Sequence, residues 1–97
     1  MLNQNQKKQL KSLAVNLKIK YQIGKNEITD TVLDMLEKAL VAHELIKIDV
    51  MKSVTEPIMG IALDLSSKLN ADIVQVVGKS IVLYRRNKEN PKIQLVK

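Results

Sequence analysis

Cysteine is absent from this 97-residue chain, and so are tryptophan and phenylalanine. Without cysteine there are no disulfides, no thiol chemistry and no Cys-containing zinc sites. Aromatic residues make up 2% of the chain and amount to Tyr21 and Tyr84. Modules that stack bases on an aromatic sheet surface are therefore disfavoured, and any nucleic acid would have to be held by phosphate and hydroxyl contacts or read by shape. No apolar run is long enough to span a bilayer. The opening "MLNQNQKKQLKSLA" lacks the apolar segment of a secretory signal. A cytoplasmic location is the expectation.

What is present is basic charge on one ordinary globular domain. Apolar residues are 45% and charged residues 27% of the chain, with sixteen Lys and Arg against ten Asp and Glu for a net charge of +6. Such a balance favours a polyanionic partner, nucleic acid before anionic membrane. The charge is uneven. Residues 27–44 hold five acids (Glu27, Asp30, Asp34, Glu37, Glu44) and one lysine, a net of −4, which leaves +10 for the rest. This asymmetry argues for an oriented contact with a polyanion.

Periodicity lays out the elements. Leu10, Leu13, Ala14 and Leu17 form one helical stripe over residues 4–17, with Lys7 and Lys11 one turn apart beside it. "KIKYQI" over 18–23 alternates as a half-buried strand, with Lys18 and Lys20 on its polar side, and Gly24 ends it. Residues 29–43 are the clearest helix. Thr29 is its N-cap, Val32, Leu33, Leu36, Ala39, Leu40 and His43 share one face, and Asp30, Asp34 and Glu37 the other. On that stripe His43, the sole histidine, is expected to pack or cap near the helix end.

"LIKIDVMK" over 45–52 is a second alternating strand. Ser53 and Glu56 have the spacing of a capping box, and Pro57 suits a first turn, so a helix is expected from "SVTEP" onward. Its stripe is Ile58, Ile61, Ala62, Leu65 and Leu69, with Gly60 a candidate for close packing and Asn70 for the C-cap. Residues 72–78 and 80–86 read as strands joined at Gly78-Lys79, a pair that fits a type II′ hairpin turn. The tail from 87 to 97 is expected to add an edge strand or to fray. The order is α-β-α-β-α-β-β: one layered α/β domain with a four-stranded mixed sheet, reached through two strand–helix–strand units and a final hairpin.

Familiar catalytic motifs are missing. "VGKS" at 77–80 would need a glycine where Ile73 stands and a helix where "IVLYRR" reads as a strand, so it is no nucleotide-binding loop. A Ser–His–acid set would depend on His43, and the acids sit mostly on one helix face. No enzyme, cofactor, small-molecule substrate or metal is expected.

"GKNEIT" after a strand, "ALVAHELIKI" at the second helix–strand junction and "DIVQVVGKSIVLYRR" near the end carry a resemblance. Over roughly residues 3–95 the chain resembles the CRM domain (chloroplast RNA splicing and ribosome maturation) in its bacterial single-domain, YhbY-like form. The resemblance implies a fold similar to the C-terminal domain of translation initiation factor three, with a loop related to that of KH domains. It implies RNA binding, and for a bacterial chain of this length a role on precursors of the large ribosomal subunit. The family's GxxG contact loop maps onto Gly24-Lys25-Asn26-Glu27. The first three residues fit, and Glu27 departs from the pattern with bulk and negative charge where glycine lets backbones approach.

Two outcomes stay open. The loop keeps its shape with Glu27 turned away and a weaker grip, or the contact shifts to the first helix and the Arg85-Arg86 strand end. The expected RNA-contacting set is Gly24, Lys25, Asn26 and Glu27, supported by Lys7, Lys11, Lys18, Lys20, Lys79, Arg85 and Arg86. The domain is expected to span 1–97, with a core over about 3–86, and to act as a monomer. A second reading has the acidic face of the 29–43 helix docking a basic, ribosomal protein, and a weaker third has the first helix binding duplex DNA.

Overall fold

A computed structural model describes residues 2–17, 20–24 and 28–96, with Lys20 represented by its backbone alone. The elements are α1 (Gln4–Val15), β1 (Lys20–Ile23), α2 (Asp30–His43), β2 (Leu45–Val50), α3 (Ile58–Leu69), β3 (Asp72–Val77) and β4 (Ser80–Tyr84). Their order is the one the periodicity predicts.

The strands form one sheet in the order β1-β2-β4-β3. β1 runs parallel to β2, and β4 lies antiparallel to both β2 and β3. β2 and β3 therefore point the same way, and the β4 hairpin return fills the space between them. A helix crossover between like-directed strands needs this layered arrangement, with α2 and α3 on a common face.

Alternation along the strands divides the apolar residues between two cores. Ile23, Ile46, Ile48, Val50, Ile81 and Leu83 meet Leu36, Leu40, Ala62, Leu65 and Leu69 of α2 and α3. On the opposite face Leu45, Val74, Val82 and Tyr84 meet Leu10 and Ala14 of α1, with Ile93 and Leu95 of the tail packed against them. A small domain gains its stability from such burial, so the helix on the second face is part of the fold.

Caps explain most of the boundaries. Thr29 Oγ1 accepts from Val32 N–H at 3.3 Å, as expected of the N-cap of α2. Asn3 and Gln6 exchange side-chain-to-backbone bonds at 2.8 and 3.0 Å, a capping box that starts α1. Asn70 ends α3 in the left-handed region. At the β3–β4 turn Gly78 has φ +57° and Lys79 has no positive φ, the combination a type II′ turn requires.

Five expectations are corrected. The Ser53–Glu56 capping box does not form, because α3 starts at Ile58 with Pro57 as an N-cap without a side-chain bond. Proline pushes the residue before it out of helical geometry, so Glu56 cannot lie inside the helix. Gly60 is not a close-packing site, since a Cβ there would meet nothing within 4 Å. His43, in the last turn of α2, is exposed and does not pack in the core; with Leu13, Leu17 and Tyr21 it borders an apolar hollow whose lining includes Ile46 of the main core. The first helix stops at Val15, leaving Leu17 half-buried past its end.

The tail over 87–96 neither joins the sheet nor frays. Gln6 and Gln9 of α1 donate to Val96 and Gln94 carbonyls at 3.0 and 2.8 Å, and Val96 N–H donates back to Gln9 at 2.8 Å.

Candidate nucleic-acid interface

The end of the sheet where β1 and β2 finish gathers three connections. Gly24 follows β1 and is buried. Met51, which opens the loop over 51–57, donates its N–H to Ile23 O at 2.8 Å, and Val50 N–H donates to Lys79 O at 2.7 Å. Gly24, the 51–57 loop and the β3–β4 turn thus share one rim. Lys79 reaches across it and donates its ammonium to Val54 O at 2.9 Å, tying turn to loop. Lys52 is exposed on the same rim. It escaped the sequence reading because it was counted as the last residue of a strand, whereas β2 ends at Val50.

Of the expected contact residues, Lys18, Lys25, Asn26 and Glu27 lie outside the described residues. Lys20 is placed only by register, opposite Lys47 in the parallel β1–β2 pair. Lys7 and Lys11 are exposed on α1. Arg85 and Arg86 follow the far end of β4. That strand spans about 14 Å from Ser80 to Tyr84 at the usual rise per residue, so neither arginine shares the Gly24 rim.

Arg85 is committed to the fold. Its guanidinium donates to Glu37 Oε2 of α2 and to Leu69 O at the end of α3, the latter at 2.9 Å, while its N–H donates to Glu44 O. The hydrogen bond from Arg85 holds the Glu37 carboxyl below its ordinary range, and the same bond raises Arg85. Arg86 is exposed and makes no ion pair among the described residues.

The acidic run is also largely engaged internally. Asp34 pairs with Lys38 at 3.1 Å on the surface, and Glu37 pairs with Arg85. Glu44 is fully buried. It caps α2 with φ +64°, and its carboxylate accepts N–H groups from Asn87 at 2.7 Å, from Lys92, and from Ile93 at 2.6 Å. On the exposed face of α2, Asp34 and Glu37 already have partners, while Asp30 is exposed and makes no ion pair among the described residues. Among the described residues no cluster of His, Asp and Glu could hold a metal ion, and no helix is long and apolar enough to cross a membrane.

The family model described as the CRS1/YhbY (CRM) domain matches residues 2–85. The chain belongs to that family. Over 95 residues this CRM protein is 37% identical to the Bacillus subtilis protein named "Probable RNA-binding protein YqeI", covering 98% of this chain and 99% of that one. It is 39% identical over 94 residues to a Haemophilus influenzae protein named "RNA-binding protein", covering 97% of this chain and 94% of that one. The solution structure of a Staphylococcus aureus protein superposes with a TM-score of 0.81 at 38% identity, covering 99% of this chain and all of that one. Membership of the CRM family makes this a non-enzymatic protein, with an α-β-α-β-α-β-β fold shared with its structural neighbour.

Proposed function

We propose that this protein binds RNA, and that its target is ribosomal RNA in precursors of the large ribosomal subunit in the cytoplasm. It acts as one monomeric domain spanning 1–97. The observation that carries the RNA reading is identity of 37–39%, over nearly the whole length, to relatives named as RNA-binding proteins. The large-subunit target follows from the resemblance to the bacterial single-domain form. The physical arrangement supports it. Gly24, at the end of β1, shares a rim with Lys52 and Lys79, and Lys7 and Lys11 add charge along α1. With two aromatic residues in the chain, affinity comes from phosphate and 2′-hydroxyl contacts.

If roughly four to six phosphates are neutralised, log affinity falls with log salt at a slope of about −3 to −5. A flat dependence would sink the mechanism. Lys25→Glu weakens binding by about tenfold or more near 0.1 M salt, since one lost phosphate contact is about one decade there, and Glu27→Gly strengthens it. Unchanged affinity in both variants removes the Gly24–Glu27 loop from the interface. In cells, crosslinking followed by sequencing of bound RNA tests the target. Reads concentrated on large-subunit ribosomal RNA support it, and reads scattered over abundant RNAs contradict it.

A further inference from the structure

A groove of about 230 Å³ lies on the second face of the sheet, beside the C-terminal half of α1. Lys11, Ala14 and Val15 of α1 form one wall. Lys47 of β2, Gln75 and Val77 of β3, and Ser80 and Val82 of β4 form the floor and the opposite side. Its polar groups come from four separate elements, and the register explains how they meet. Lys47, Val82 and Gln75 form one row across the sheet, with Lys20 next to Lys47 on β1. Asp49, Ser80 and Val77 form the next row.

Gln75 reaches this face because of an irregularity. Between Ile73 and Gln75 the β3–β4 pairing shifts, leaving Val74 as an extra residue. Ile73 packs with the main core, whereas Val74 belongs to the second core and Gln75 opens onto the groove. A bulge of this kind re-aims a side chain, and bulges concentrate at binding sites.

The charges are unbalanced. Among the described residues the Lys11 and Lys47 side chains make no ion pair or hydrogen bond, and the half-buried Gln75 side chain has no hydrogen-bond partner. The nearby carboxylate, Asp49, does not line the groove, and its Oδ1 accepts the Ser80 hydroxyl at 2.6 Å. The Ser80 oxygen has donated its proton and is left as an acceptor. Val15 and Val77, 80% and 59% exposed, give the groove apolar lips.

We infer that this groove is a ribonucleotide subsite: Lys11 and Lys47 take a backbone phosphate, and Gln75 with Ser80 Oγ engages the adjacent 2′-hydroxyl. The 2′-hydroxyl both donates and accepts, which matches a side-chain amide beside an acceptor oxygen, and deoxyribose leaves both unanswered. The apolar lips fit the carbon face of the sugar. This inference rests on the RNA-binding reading and adds a site apart from the Gly24 rim that sets RNA over DNA.

The test measures binding of an RNA oligonucleotide and a DNA oligonucleotide of the same sequence to the full chain, with unfolding midpoints checked for each variant. Lys47→Gln weakens RNA binding by about tenfold near 0.1 M salt and makes the salt slope shallower by about 1. Gln75→Leu brings the RNA-over-DNA preference towards one and leaves DNA affinity unchanged. In the wild-type protein, amide resonances of Lys47, Gln75 and Ser80 shift on titration with the RNA, a readout independent of any variant. Wild-type affinity and slope in Lys47→Gln, with binding still lost in Lys25→Glu, overturn the groove and leave the RNA reading standing. Unmoved amides, or an intact preference in Gln75→Leu, overturn it as well. No RNA binding by the wild-type protein overturns both.

Discussion

The two ends of the sheet both carry basic side chains, and Lys52 and Arg85 are used in opposite ways. Lys79 at the first end is tied to Val54 O, and Arg86 at the other is exposed. At the Gly24 end, Lys52 is exposed on a loop and Lys11 stands over a groove, neither with an acidic partner among the described residues. At the far end Arg85 is bound to α2, α3 and the chain at Glu44. Arginine's planar fork suits several fixed acceptors at once, whereas a lysine ammonium on a flexible stem suits a phosphate whose position varies. The comparison separates charge that builds the domain from charge left for a ligand.

The largest effect that could break this contrast lies at Glu44. Its carboxylate accepts three tail N–H groups while its own backbone holds φ +64°. Non-glycine residues keep a positive φ only where the surroundings enforce it. Glu44→Ala leaves those N–H groups without their acceptor and destabilises the fold by about 3 kcal/mol. Urea unfolding measures the loss, and limited proteolysis shows cleavage within 87–96 first. RNA affinity of the folded fraction stays unchanged. Weakened RNA binding without loss of stability would make the far end part of the interface.

The second effect separates the adjacent arginines. Arg85→Gln gives up a charge-assisted bond and the capping of α3, and lowers stability by about 1–2 kcal/mol with an unaltered salt slope. Arg86→Gln leaves stability within about 0.5 kcal/mol, as expected of an exposed site. If Arg85→Gln instead shifts the slope by about 1 at unchanged stability, Arg85 contacts phosphate and the division between the two ends fails.

What the sequence made legible follows from how local each cause is. The Leu36–Leu40 and Leu65–Leu69 stripes, the Thr29 cap and the Gly78 turn depend on neighbours within a few residues, and each stands where periodicity puts it. The Asn3–Gln6 capping box was equally local, an Asn followed three residues later by Gln, and could have been read. The bulge at Val74 was not legible, because strict alternation through "DIVQVVG" puts Ile73 and Gln75 on one face and the pairing with β4 parts them. Glu44 looked like one acid among five. Its burial is decided by a tail that arrives more than forty residues later. The same distance hides Arg85, whose partner Glu37 lies on another element. Within the candidate site the lysine-bearing helix was legible, and the groove it helps to form was not, since Lys47 and Gln75 meet only through the sheet.

The smallest effect tests the Arg85 clamp by pH. Hydrogen bonding from Arg85 lowers the Glu37 carboxyl from its ordinary 4.5, so the folded state binds that proton less readily than the unfolded chain. Stability from the pair is therefore fully present above the unfolded value and is lost as pH falls through the lowered one. Glu37 is 44% exposed and solvent screens the charges, which limits the contribution to under about 1 kcal/mol. Comparing wild type with Glu37→Gln by urea unfolding, the stability gap is present at neutral pH and closes as pH drops below 4.5. A gap that persists in acid would mean that Glu37 acts through packing against α3, and that Arg85 is held chiefly by the Leu69 carbonyl. Raising the salt distinguishes the two, because screening narrows an ionic gap and leaves a packing gap unchanged.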